Sequence, residues 1–122
     1  MPKRDLDEIR RILLRAEAEP LDVEDDLNSG FHDWGGLSPS EGFHLGLMRD
    51  AGLVEGKDAS IGFFRVTHAG YEYLDAIRNE GIWNKTKAIA AEQGGSLALE
   101  LVKQVATALL RNQLEKLVGS PL

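Results

Sequence analysis

The stretch "SPSEGFHLGLMRDAGLVEG", Ser38 to Gly56, constrains the fold of this chain more than any other. Ser38 is a natural N-cap, Pro39 suits the first helical position, and Glu41 stands where it completes a capping box. Phe43, Leu47 and Ala51 fall along one side, with His44, Leu45 and Met48 beside them. Gly52 supplies the positive φ that ends a helix at low steric cost. The spacing predicts a helix over Pro39–Ala51 that runs directly into extended chain.

The next segment reads as a β-hairpin. "GLVEG" is one short strand, "KDAS" a turn, and "IGFFRVT" a second strand in which Phe64 and Val66 face one way and Ile61, Phe63 and Arg65 the other. Thr67 caps a further helix, "HAGYEYLDAIRN", with Tyr73, Leu74 and Ile77 on its apolar stripe. Gly81 is expected to interrupt it before "IWNKTKAIAAEQ", which carries Trp83, Thr86, Ile89 and Ala90. Upstream, Asp5 and Glu8 resemble a capping box, and Leu6, Ile9, Leu13 and Ala16 recur at helical spacing with Ile12 widening the stripe. That predicts a helix over Leu6–Glu19, stopped by Pro20. Residues 20–37 show no helical period; they read as short strands around Leu21–Val23 and Phe31–Trp34, or as a loop anchored by Phe31 and Trp34. Gly94–Ser96 breaks the chain and caps a last helix over about Leu97–Val118, whose stripe of Val102, Val105, Leu109, Leu110, Leu114 and Leu117 is broad for a helix on a monomer surface.

These elements make a mainly α fold with a small antiparallel β-hairpin. We read one domain over residues 1–122, with 82–122 a C-terminal helical extension packed on it or used for dimerisation. The 122 residues suffice for a core without staples, and the absence of cysteine removes disulfides, thiolate chemistry and cysteine-ligated zinc. With no apolar run of membrane length, a cytoplasmic protein is expected. Formal net charge is −6, and residues 1–36 hold ten acids against five bases. Nonspecific nucleic-acid binders usually show the opposite balance, because phosphate neutralisation supplies most of their affinity.

The order of helix, capped helix, "AGL" boundary, two-stranded wing and helix is that of a winged helix. At residue level, "KRDLDEIRRILL", "FHLGLMRDAGLVEG", "VTHAGYEYLDAIRNEGIWNKTK" and "GGSLALELVK" together resemble the family catalogued as domain of unknown function twenty-five thirteen, found in phages, prophages and bacteria. The resemblance implies a winged-helix-like fold with extra C-terminal helices, and it brings no catalytic residues or cofactor. Residues 20–37 depart from the winged-helix plan, which places a helix there.

On the recognition-helix reading, Ser40, Phe43 and Arg49, with the small Gly42 and Gly46, enter a DNA groove while Lys57 and Arg65 of the wing hold phosphates. Lys85, Lys87 and Arg78 are further basic candidates. Only Arg49 on the helix is a strong donor to bases, and Glu41 and Asp50 repel the backbone. Packing of the two glycines against a neighbour competes with groove contact. His32, His44 and His68 lack the spacing of a metal site, and His44 is expected at the core edge, bonded to a carbonyl or carboxylate. "FHDW" is no catalytic dyad, "VEDD" lacks the glycine and spacing of a calcium loop, and neither "GG" has a nucleotide-cradling context. The leading expectation is a non-enzymatic DNA-binding regulator, without metal or cofactor. The alternative is a protein-binding module, such as a phage-derived inhibitor or adaptor, acting through Asp22, Glu24, Asp25 and Asp26. A homodimer through Leu109, Leu110, Leu114 and Leu117 is weighed against intramolecular packing of the same residues.

Overall fold

A computed structural model describes residues 3–20, 30–93 and 98–119. It has five α-helices and a small antiparallel sheet: α1 Leu6–Ala18, β1 His32–Asp33, α2 Pro39–Asp50, β2 Val54–Glu55, β3 Phe63–Val66, α3 His68–Ile77, α4 Glu80–Glu92 and α5 Leu99–Val118. The chain divides into two compact units, residues 1–74 and 75–122, with the division inside α3. Among the described residues no helix is long and apolar enough to cross a membrane.

In the first unit, α1 starts where Asp5 accepts hydrogen bonds from the amides of Asp7 and Glu8. It buries Ile9, Ile12, Leu13 and Ala16, the stripe its spacing predicts. Its packing partner α2 carries the full capping box: the Ser38 hydroxyl accepts from the Glu41 amide, and the Glu41 carboxylate accepts from the Ser38 amide at 2.9 Å. Gly52 follows α2 with φ 78° and turns the chain into β2.

The hairpin has shorter strands and a longer, more curled connection than its sequence suggests. The alternation places Ile61 in the second strand; instead Ala59–Ile61 form a 3-10 turn between β2 and β3, and the strand begins at Phe63. The amides of Ile61 and Phe63 both donate to the Asp58 carbonyl, which winds the connection back on itself. β3 is central, in the order β1-β3-β2, with His32 opposite Phe64, Asp33 opposite Phe63, and Glu55 opposite Arg65. A strand within Phe31–Trp34 is therefore present, whereas Leu21–Val23 lies outside the described residues. Alternation sorts the faces: Phe64 and Val66 are buried, and Phe63 is exposed. Thr67 accepts from the Gly70 amide and donates to the Gly52 carbonyl, tying the start of α3 to the end of α2.

One expected boundary is displaced. The break after α3 is made by Asn79, not by Gly81, which lies within the first turn of α4. Asn79 is extended, with ψ 126°, and its side chain accepts from the Ile82 amide at 2.9 Å, so a new helix starts there. In the second unit α4 packs on α5, with Ile82, Trp83, Thr86, Ala90, Val102 and Ala106 buried. The Thr86 hydroxyl, inside this core, is satisfied by the Ile82 carbonyl. α5 starts at Leu99 from an N-cap at Ala98 that makes no side-chain bond, and the expected cap Ser96 lies outside the described residues.

Candidate interaction surfaces

Of the residues proposed for DNA, Ser40, Phe43 and Arg49 all sit on α2, but they do not form a donor-rich face. Ser40 is exposed, with its hydroxyl 3.4 Å from His44 Nδ1. Phe43 is half-buried and edge-on to the ring of His44. Arg49 turns toward the hairpin, where its Nη1 donates to the Lys57 backbone carbonyl at 3.3 Å. Arg65 is engaged elsewhere, donating from Nε to Glu55 at 2.6 Å across the strand pair with its Nη2 against the same carboxylate. In the second unit, Arg78 pairs with Asp75 at 2.7 Å and Lys87 lies 5.8 Å from the Trp83 ring centre.

Of the two glycines of α2, Gly42 serves packing. A Cβ at Gly42 would stand 2.8 Å from the Ser60 carbonyl oxygen, so the 3-10 turn can lie on this helix only because the side chain is absent. At Gly46 the nearest atom is the Ser60 Cβ, at an ordinary 4.0 Å.

The histidines are spent on local structure. His44 is buried; its Nδ1 donates to the Ser40 carbonyl at 2.8 Å and its Nε2 accepts the Asp5 amide at 2.8 Å. This fixes the neutral tautomer and joins the start of α1 to α2. His32 meets Glu19 at 3.0 Å, and His68 meets Glu72 at 3.0 Å.

Two features go beyond the sequence expectations. The first is a chain of charges across α1, α2 and β1. Arg11 binds Glu8 at 2.5 Å and Glu41 at 3.3 Å, while Arg15 reaches Glu41 at 3.6 Å, Glu19 at 3.7 Å and the Trp34 ring centre at 3.8 Å. The Ser38 amide, then Arg11, hold the Glu41 carboxyl below the usual carboxylate range. The Arg11 guanidinium does the same for Glu8, and that contact raises the Arg11 pKa in turn. Only the short-range pairs are visible as spacing on α1, since Glu41 is 30 residues from Arg11.

The second is aromatic. Phe31 stacks on Phe63 with ring centres 5.0 Å apart on the outward side of the sheet, Phe63 being 40% exposed and Ile61 beside it in sequence 72% exposed. Its signal is the alternation of β3, which turns Phe63 away from the core; Ile61 is exposed from the 3-10 turn instead. Asp33 lies directly across the strand pair from Phe63, and the Glu55–Arg65 ion pair continues the same face, so a carboxylate and a neutralised pair edge this apolar area. Asp22, Glu24, Asp25 and Asp26 lie outside the described residues. On α5, Leu109 and Leu110 are half-buried, whereas Leu114, Leu117 and Val118 are 53%, 77% and 72% exposed.

The chain is similar to the family described as "Hypothetical protein (DUF2513)", whose model matches residues 3–96. Three of the four stretches that carry the resemblance lie inside that span, and "GGSLALELVK" runs past it. A Haemophilus influenzae relative named "Uncharacterized protein" is 33% identical over 118 residues, covering 92% of this chain and 98% of the relative. No solved structure matches.

Proposed function

The chain belongs to the DUF2513 family, and from its surfaces we propose a non-enzymatic, winged-helix-like module that binds a protein through the outer face of its sheet. The observation that carries this reading is the exposed Phe63 stacked on the half-buried Phe31, with Ile61 beside it in sequence, bordered by Asp33 and the Glu55–Arg65 pair. Exposed aromatic groups within a polar rim are the usual anchors of protein interfaces. Residues 1–74 contain fifteen acids and eight bases, so the complementary partner presents apolar side chains within a basic surround. Asp22, Glu24, Asp25 and Asp26 are four of those fifteen acids. The test is affinity capture by the intact chain against Ile61→Ser and Phe63→Ser variants of unchanged circular dichroism. A single basic protein held by the wild type and released by both variants is the expected result. Retention by the variants would reject this surface.

DNA binding is the second reading, favoured by the Arg49 guanidinium resting on the hairpin backbone at Lys57, where α2 meets the hairpin. It predicts retardation of mixed duplex DNA at low salt, steep loss with added salt, and weakening in Arg49→Ala and Lys57→Ala. Duplex that runs free at low ionic strength rejects it. Winged-helix geometry is common to both readings.

Self-association completes the proposal. Leu110, Leu114 and Leu117 recur at helical spacing on α5, and a second copy crossing antiparallel near Gln113 sets Arg111 against Glu115 of the other chain. Light scattering is expected to give twice the mass of 13.4 kDa at high concentration and to lose that form in Leu114→Glu. A monomer throughout would end the proposal.

A further inference from the structure

The second unit encloses a groove of about 230 Å³ between α4 and α5. Its polar lining comprises Asn79, whose side-chain oxygen already accepts the Ile82 amide, Gly81 and Lys85 at α4, and Asn112, Gln113 and Lys116 from α5. Positions 109, 112, 113 and 116 recur at helical spacing and so share one side of α5, turned from the stripe of Leu110, Leu114 and Leu117. Ile82 and Leu109 supply the apolar part of the wall. No carboxylate lines it, in a chain with six more acids than bases. Among the described residues neither Lys85 nor Lys116 has an ion-pair or hydrogen-bond partner, whereas Lys87 and Lys103 are engaged.

We propose that this groove binds a compact oxyanion, a phosphate group either free or as the monoester of a small molecule. Lys85 and Lys116, exposed residues of different helices, line the same small groove with no carboxylate among its walls, and an anion bound there is attracted by both charges. Lysine serves as a point charge for phosphate, and the amide groups of Asn112 and Gln113 donate to its oxygens. Gly81 lies in the first turn of α4, where backbone amides have no helical acceptor and the helix dipole favours negative charge. Glu80, on the same turn, is exposed and outside the lining; it offsets part of that field. A groove this small takes the charged group and a few carbon atoms, and Ile82 with Leu109 would carry the latter.

The test is an NMR titration of the full chain with inorganic phosphate and, separately, with glycerol phosphate, at ionic strength held constant with chloride. Saturable shifts are expected at the Gly81 amide and the Asn112 and Gln113 side chains. Lys85→Gln combined with Lys116→Gln should weaken binding by about tenfold or more, corresponding to roughly 1.4 kcal/mol, and replacement of both by Arg should restore it. Tighter binding of the ester supports an organic body on Ile82 and Leu109; equal binding supports the free ion. Shifts that never saturate, or an affinity unmoved by the double Gln variant, would overturn the site. None of these outcomes depends on the sheet surface, so the two proposals fail separately.

Discussion

Glu41 is a single residue with three tasks: it closes the capping box on Ser38, receives Arg11, and receives Arg15. Exposed ion pairs contribute little individually, typically less than about 1 kcal/mol, whereas an N-terminal cap is worth about 1. Glu41→Ala should therefore cost roughly 1–2 kcal/mol in urea denaturation, more than Arg11→Ala or Arg15→Ala. Equal losses from all three would show that the network, not the cap, dominates. The two glycines of α2 separate in the same way. Gly42→Ala forces a Cβ against the Ser60 carbonyl and should destabilise by about 1–3 kcal/mol. Gly46→Ala meets nothing closer than ordinary contact and should stabilise the helix by roughly 0.5–1 kcal/mol. Thermal denaturation of the two variants checks both signs.

At the scale of elements, the sequence makes legible whatever depends on neighbours along the chain. The Ser38–Glu41 box, the Thr67 cap, the α1 stripe and the alternation of β3 all follow from spacing of a few residues. The break between α3 and α4 is misplaced by sequence reading because Gly81 is a conspicuous breaker and Asn79 is not; yet the Asn79 side chain satisfies an orphan amide. Asn79→Ala should cost about 1 kcal/mol, and Gly81→Ala less, by urea denaturation. The 3-10 turn at Ala59–Ile61 depends on its seat against Gly42, which no local pattern reveals. The Glu41–Arg11 contact is hidden for the same reason. Acid should loosen the α1–α2 joint in particular. Glu8 and Glu41 both have lowered carboxyl pKa values, so their contribution is complete above the unfolded value of about 4.3. It is lost as pH falls through the lower folded values. Denaturation from pH 6 to pH 3 should show a decline in stability that is smaller in Glu41→Gln.

At the scale of the whole molecule, the capped helix running into a ribbon belongs to a unit with fifteen acids and eight bases, the opposite of the balance usual in nonspecific nucleic-acid binders. Residues 1–74 are strongly acidic, Arg65 is occupied by Glu55, and Arg49 leans on the Lys57 carbonyl. The surface this unit leaves exposed on its sheet is apolar, edged by Asp33 and by the Glu55–Arg65 pair. Residues 75–122 hold five acids and six bases, and their groove of two lysines is a separate chemistry. The most direct measurement is site-specific photocrosslinking in the native cell, with the reactive side chain placed at position 61, which is open enough to accept it. A dominant adduct with one basic protein, absent when the probe sits at the exposed Glu72, is the expected result. Adducts to nucleic acid from position 61, or none to protein, would contradict the account.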